Sequence, residues 1–154
     1  MDRILERIKK GEKVAIIGIG NRLKGDDAAG SIIAEKLKEK VKNENLLVID
    51  AEINPENYIG VIKKFNPPFI LIIDAIDFGS FPGDFRIFKP EQIKDTTIST
   101  HNFSIPLLKN LIDNIEIYIL GIQPEKIKLG ENISQKVSET IEKIIKTFLV
   151  LLPP

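Results

Sequence analysis

Short apolar runs alternate along the chain with longer amphipathic segments. Four runs consist mostly of aliphatic side chains and are short enough for one strand each: residues 14–19, 46–49, 69–73 and 116–121. Because apolar residues occupy consecutive positions in these runs, we predict strands that are buried on both faces of a sheet. Residues 85–88 (FRIF) instead alternate in polarity after a turn at residues 81–84, which favours a strand at the sheet edge.

The segments between these strands have the spacing of amphipathic helices. We predict one helix over about residues 28–42 and another that starts at residues 54–56, where Pro55 suits the first helical position. Further helices are expected to begin near residue 104 and to span about residues 133–151, before Pro153 and Pro154. The buried positions predicted for the first two helices are Ile32, Ile33, Leu37, Val41, Tyr58, Ile59, Ile62 and Phe65.

This alternation of strand and helix predicts the class of fold. Consecutive strand–helix–strand units form right-handed crossovers, so we expect an α/β architecture with a mainly parallel sheet covered by helices on both faces. The sheet should have five strands, including one antiparallel strand at the edge, for which the short run at residues 85–88 is suited. A length of 154 residues suits a single domain spanning residues 1–154.

The amino-acid composition excludes several classes of function. Lys plus Arg and Asp plus Glu both number 22, so no net field attracts nucleic acid or an anionic membrane. The absence of cysteine excludes disulfides, thiolate nucleophiles and cysteine-based metal sites, and it fits a reducing cytoplasm. The N-terminus mixes charged and apolar residues, unlike a signal peptide, and the longest apolar stretch, residues 148–152, is too short for a membrane span. We therefore expect a soluble, cytoplasmic protein.

Polar residues that can bind metal follow the predicted strands. Asp26 and Asp27 lie in the loop after the first strand, Asp74 ends the third strand with Asp77 close behind, and His101 is the only histidine. In open sheets of this kind, ligands bind outside the carboxyl ends of the strands. Two carboxylates and one imidazole there could bind nickel, zinc, iron or manganese.

Other interpretations of the same residues stay open at this point. A single aspartate at a strand end is more often a helix cap or a turn former than a ligand. The hydroxyl groups of residues 96–100 are read as a polar loop rather than as a source of a nucleophile. Leu23 stands where a dinucleotide-binding loop needs its third glycine, and neither a P-loop nor a Gly-x-Ser-x-Gly elbow occurs.

One segment carries a specific resemblance. Residues 18–27 (GIGNRLKGDD) follow the pattern Gly-x-Gly-Asn-x-Leu-x-x-Asp-Asp/Glu, and the sequence there resembles the hydrogenase maturation protease family. Further blocks of the family follow in the family's order, so the resemblance covers roughly residues 14–125. These blocks are Pro55-Glu56-Asn57, residues 73–79 (IDAIDFG), Pro82-Gly83, Thr100-His101-Asn102 and residues 121–125 (GIQPE).

The resemblance implies a twisted three-layer α/β/α sandwich and three metal-contacting residues, which match Asp27, Asp74 and His101. It implies an endopeptidase, classified in the family as aspartic-type, with a site that other divalent ions can also occupy. The metal is Ni²⁺ already inserted in a [NiFe]-hydrogenase large-subunit precursor, and its presence licenses removal of the C-terminal extension of that precursor. The blocks at residues 100–102 and 121–124 are closest to the branch that serves membrane-bound, hydrogen-evolving hydrogenases.

Two departures from the family pattern and two rival functions accompany this resemblance. Ala28 replaces a usual glycine, which should favour the following helix. Asp50-Ala51-Glu52 replaces Asp-Gly-Gly and puts Glu52 near the proposed site with its role open. The rivals are a receiver-type signalling module phosphorylated on Asp74 and a nickel chaperone without catalytic activity.

Overall fold

A computed structural model of the chain describes residues 1–93, 98–99 and 115–152. Short 3-10 turns at Gly25–Ala28, Pro55–Tyr58 and Pro90–Gln92 precede or connect the main elements. The helix predicted near residue 104 and most of the threonine-rich loop, including His101, lie outside the described residues. The helices are α1 (Asp2–Lys9), α2 (Ala29–Lys40), α3 (Ile59–Phe65) and α4 (Gln135–Leu151), and the strands are β1 (Val14–Ile19), β2 (Leu46–Glu52), β3 (Phe69–Asp77), β4 (Phe85–Phe88), β5 (Ile98–Ser99) and β6 (Glu116–Ile122).

The main sheet has the strand order β2-β1-β3-β6-β4. The pairs β1–β2, β1–β3 and β3–β6 are parallel, whereas β4 pairs with β6 in the antiparallel direction. The two-residue strand β5 adds an antiparallel pairing to the end of β3. The predicted parallel sheet with one antiparallel edge strand is therefore confirmed.

Each face of the sheet has its own hydrophobic core, because successive strand residues point to opposite faces. Leu71 and Ile73 of β3 belong to the core that contains residues of α1, α2 and α4, including Leu37 and Phe148. The intervening Ile72 belongs to the second core, which α3 covers. This arrangement confirms the three-layer α/β/α architecture.

Some predicted element boundaries were wrong. Strand β3 runs to Asp77 instead of ending at Asp74, because its parallel pairing with β6 continues at Asp74 and Ala75 and β5 then pairs with Ile76. A 3-10 turn delays the start of α3 to Ile59, and Ile62 is the fully buried residue of this helix. Tyr58 and Ile59 are half-buried against the second core, as predicted, and Phe65 is half-buried. None of the described helices has the length and the apolar character needed to cross a membrane.

Candidate functional site

Helix α2 starts directly against the carboxyl ends of β1 and β3. A Cβ atom at Gly30 would collide with the backbone carbonyl oxygens of Ile73 and Ile19, so only glycine allows this close approach. Asp27 lies three residues before Gly30, and Asp74 follows Ile73 directly. The 3-10 turn that carries Asp27 also contacts β3. The packing of α2 therefore brings Asp27 and Asp74 to the same edge of the sheet.

Both of these carboxylates are buried. Asp27 is 1% exposed and Asp74 is 5% exposed. Carboxylate oxygens are ligands for divalent metal ions in proteins, so two carboxylates at one edge suit a cation-binding site. The third predicted ligand, His101, lies outside the described residues. Within the described part of the chain no three His, Cys, Asp or Glu residues form a metal-binding group, and the complete ligand set stays a prediction.

Asp26, the neighbour of Asp27, has a structural role. The Asp26 side chain is fully buried and accepts hydrogen bonds from the backbone N–H groups of Glu125, Lys126 and Ser134, at 2.7–2.9 Å. The Ser134 hydroxyl donates a further hydrogen bond to it at 2.8 Å. Asp26 therefore joins the 3-10 turn to the loop that connects β6 with α4.

Asp50, the aspartate near the end of β2, takes part in a polar network at the rim. Ser31 of α2 donates a hydrogen bond to Asp50 Oδ1 at 2.6 Å, and Arg22 Nε donates to Ser31 Oγ at 2.8 Å. The Arg22 guanidinium also pairs with Glu35 and lies 3.5 Å from Asp50 Oδ2. These contacts hold the loop after β1 against α2 and β2. They give the Asp50 carboxylate a hydrogen-bond donor and a positive partner without a metal ion.

Glu52 shows why the family pattern has glycine at this position. Its φ is 51°, in the left-handed region that a residue with a side chain adopts only with strain of roughly 1 kcal/mol or more. Its carbonyl oxygen accepts a hydrogen bond from Gly20 N–H at 2.8 Å, which fixes the chain after β1. The Glu52 side chain is exposed. The position thus needs this backbone conformation, and its side chain is free to vary.

Asp77, another candidate from the sequence, belongs to a turn. Its Oδ1 accepts hydrogen bonds from Gln123 Nε2 at 3.0 Å and from Gly79 N–H at 3.1 Å. The Gln123 side chain, followed by the Gly79 backbone, holds the pKa of Asp77 below its usual value. Gln123 Oε1 also accepts from the backbone N–H groups of Phe78 and Ser80, so this buried glutamine closes the turn after β3.

Sequence reasoning missed the structural roles of Gln123 and Gly30. Gln123 lies in the block at residues 121–125, which resembles the family, but that resemblance did not indicate what the glutamine does. For Gly30 the signal is an isolated glycine inside a helical pattern, where it lowers helix propensity and so needs a packing reason.

These features define a three-layer α/β/α protein with a pair of buried carboxylates at the carboxyl edge of its sheet. The sequence profile of the HycI hydrogenase maturation protease family matches residues 32–150. The hydrogenase 3 maturation protease of Escherichia coli K12 is 36% identical over 132 residues, which is 84% of each chain. This chain therefore belongs to the hydrogenase maturation protease family, whose members are endopeptidases.

Solved structures of similar proteins agree with this assignment. The crystal structure of the [NiFe] hydrogenase maturation protease HycI from Thermococcus kodakarensis KOD1 matches with a TM-score of 0.84 at 33% identity, covering 98% of this chain and 99% of that one. The solution structure of the endopeptidase HycI from Escherichia coli matches with a TM-score of 0.77 at 33% identity, covering 87% of each chain.

The receiver-type alternative does not fit this topology. Receiver-like folds have the strand order 2-1-3-4-5 with all strands parallel. Here the strand at the corresponding edge, β4, is antiparallel and precedes β6 in the sequence. The family assignment and the topology together disfavour a phosphoacceptor module.

Proposed function

We propose that this chain recognises nickel in a [NiFe]-hydrogenase large-subunit precursor and removes the C-terminal extension of that precursor. The observation that carries the proposal is the burial of Asp27 and Asp74 at one edge of the sheet, in a chain of the hydrogenase maturation protease family. We further propose that it works in the cytoplasm, since a chain without cysteine suits a reducing compartment.

The donor set suits nickel that arrives with the substrate. Carboxylate oxygens from Asp27 and Asp74 and an imidazole nitrogen from His101 leave coordination positions for ligands that the precursor supplies. Nickel in the precursor would be bound by both carboxylates. A precursor without nickel would lack this contact, which is how the metal licenses processing.

The chemical step adds one water molecule across one peptide bond and leaves a new carboxylate and a new amine. We propose that nickel acts as the recognition element, which places the C-terminal extension for cleavage. In the alternative, nickel also polarises the scissile carbonyl group or activates the water, with one of the carboxylates assisting proton transfer. Both versions require the same three side chains.

Mass spectrometry of a large-subunit precursor before and after incubation with this chain tests the proposal. We expect the nickel-loaded precursor to lose its C-terminal extension and the nickel-free precursor to keep its full mass. A nickel-loaded precursor that binds the chain and stays at full length would instead favour the chaperone function.

Variants test the assigned residues in the same assay. Asp74→Asn and His101→Ala should abolish processing, because each removes a proposed nickel ligand, while circular dichroism shows a folded chain. Asp50→Asn is the matched control, since Asp50 lies on the neighbouring strand and its contacts to Ser31 and Arg22 account for it. Full processing by folded Asp74→Asn would remove this residue from the site.

A further inference from the structure

The buried carboxylate of Asp26 joins two segments that are distant in the sequence. Its hydrogen-bond partners Glu125, Lys126 and Ser134 lie about a hundred residues further along the chain. In return, the Asp26 backbone N–H donates to the Lys126 carbonyl oxygen at 2.6 Å. The 3-10 turn and the loop after β6 are thus tied together by both the side chain and the backbone of one residue.

The packing around this connection leaves little room for movement. Gly25 has a φ of 53°, and a Cβ atom there would collide with the Lys126 carbonyl oxygen. Asp26 itself is 0% exposed and Ser134 is 3% exposed. The turn is therefore held in place by hydrogen bonds that are shielded from water.

Asp27 is the next residue of the same turn. Its backbone N–H donates to the Lys24 carbonyl oxygen at 3.0 Å, and its own carbonyl oxygen accepts from Asn21 N–H at 3.2 Å. These backbone bonds lie within the loop after β1. The packing of α2 at Gly30 holds the turn against β1 and β3. Asp26 adds a separate attachment, to the loop after β6.

We propose that Asp26 is a positioning residue for Asp27: it anchors the turn to residues 125, 126 and 134 so that the Asp27 carboxylate is presented to the metal of the substrate. This inference rests on the proposed function, in which Asp27 is a nickel ligand. Asp26 itself does not touch the metal. The start of the loop after β6 takes part in this positioning, because the backbone N–H groups of Glu125 and Lys126 donate to Asp26.

The test compares three variants by the kinetics of precursor processing. Asp26→Asn keeps the shape of the side chain but replaces one acceptor oxygen by an NH₂ group. This donor would face the N–H and O–H groups that now donate to Asp26. Ser134→Ala removes one hydroxyl bond to Asp26 and also the N-cap contact of α4 with the Val137 N–H, so its stability is measured alongside. Thr140→Val is the matched control, because it also removes a buried hydroxyl on α4, which donates to the Gly83 carbonyl oxygen at 2.6 Å and not to Asp26.

Rates are measured at a temperature where circular dichroism shows every variant fully folded. Since misplacement of a group that binds or reacts by about 1 Å reduces rates up to a hundredfold, we expect kcat/KM to fall about tenfold or more in Asp26→Asn. Ser134→Ala should show a smaller fall in kcat/KM, roughly threefold, and Thr140→Val should stay within about twofold of the original chain. A purely structural role for Asp26 would lower the thermal stability of Asp26→Asn and Ser134→Ala and leave kcat/KM unchanged.

Hydrogen exchange separates a failure of this inference from a failure of the proposed function. If the original chain does not cleave the precursor, the proposed function is wrong, and exchange at the Asp27 amide then decides the positioning role. We expect that amide to exchange about tenfold faster in Asp26→Asn than in Thr140→Val, because local opening of the turn becomes easier. Equal exchange rates in the two variants, or an unchanged kcat/KM in Asp26→Asn beside an active original chain, would overturn the inference.

Discussion

At the scale of single residues, the site depends on how closely backbone segments approach one another. Gly30 lets α2 begin against the carbonyl oxygens of Ile73 and Ile19, and this contact sets the distance between the turn that carries Asp27 and the strand that carries Asp74. The glycine is unfavourable for the helix by about 1 kcal/mol relative to alanine. Gly30 offsets this cost because it allows α2 to pack closely against the ends of β1 and β3.

Replacing Gly30 by alanine should therefore destabilise the protein, although alanine is the better helix former. The new methyl group collides with backbone rather than with a movable side chain, and overpacking of this kind destabilises by about 1–3 kcal/mol. Gly60→Ala is the matched control, since Gly60 also lies in a helical segment and a Cβ there meets nothing within 4 Å. Urea denaturation should show Gly60→Ala as neutral or up to about 1 kcal/mol more stable. A stabilised Gly30→Ala variant would contradict the close approach of α2.

At the scale of elements, α1 is attached to the opposite edge of the sheet by one arginine. Arg7 donates two hydrogen bonds at 2.9 Å to Glu12 and one at 3.2 Å to Glu116 at the start of β6. Its guanidinium also lies 4.2 Å from the centroid of the Phe69 ring. The helix is thus joined to two central strands, far from the carboxyl edge that holds the proposed site.

These contacts predict a dependence of stability on acid pH. The hydrogen bond from Arg7 lowers the pKa of Glu12, and Tyr118 together with Arg7 lowers the pKa of Glu116. A carboxyl group with a lowered pKa in the folded state stabilises it above the usual pKa and loses this contribution as pH falls through the lowered value. The contribution of Arg7 should be complete near pH 7 and fade below about pH 4.

Arg7→Ala tests that dependence by thermal denaturation at several pH values. We expect a loss of about 1 kcal/mol near pH 7, from a partly exposed ion pair and a cation–π contact, and a smaller loss near pH 3. Lys10→Ala is the control, since Lys10 pairs with Glu6 where both side chains are mostly exposed. An Arg7→Ala deficit that stayed constant from pH 7 to pH 3 would argue against the ion pairs as its cause.

At the scale of the whole molecule, the sequence was sufficient to predict the layers and the sheet, because consecutive apolar residues mark strands that are buried on both faces. The alternating residues 85–88 similarly predicted the edge strand β4. The extension of β3 to Asp77 could not be predicted, since it depends on pairing with β5 and β6. Periodicity within one segment carries no information about such pairing.

The candidate site was likewise predictable from the sequence only in part. The pattern of apolar and polar residues identified the edge of the sheet and the aspartates near it, and only the family resemblance distinguished Asp27 from Asp26. The partners of Asp26 lie about a hundred residues away in the sequence, so no local pattern could show them. Asp77 likewise looked like a possible ligand until its hydrogen-bond partner Gln123 was known.

The central claim is that Asp27, Asp74 and His101 meet around one nickel ion, and anomalous diffraction at the nickel absorption edge measures this most directly. Crystals of the chain grown with Ni²⁺ should show one anomalous peak at about 2 Å from a carboxylate oxygen of Asp27, one of Asp74 and an imidazole nitrogen of His101. A fully occupied peak elsewhere, with the His101 imidazole remote from both carboxylates, would contradict the account.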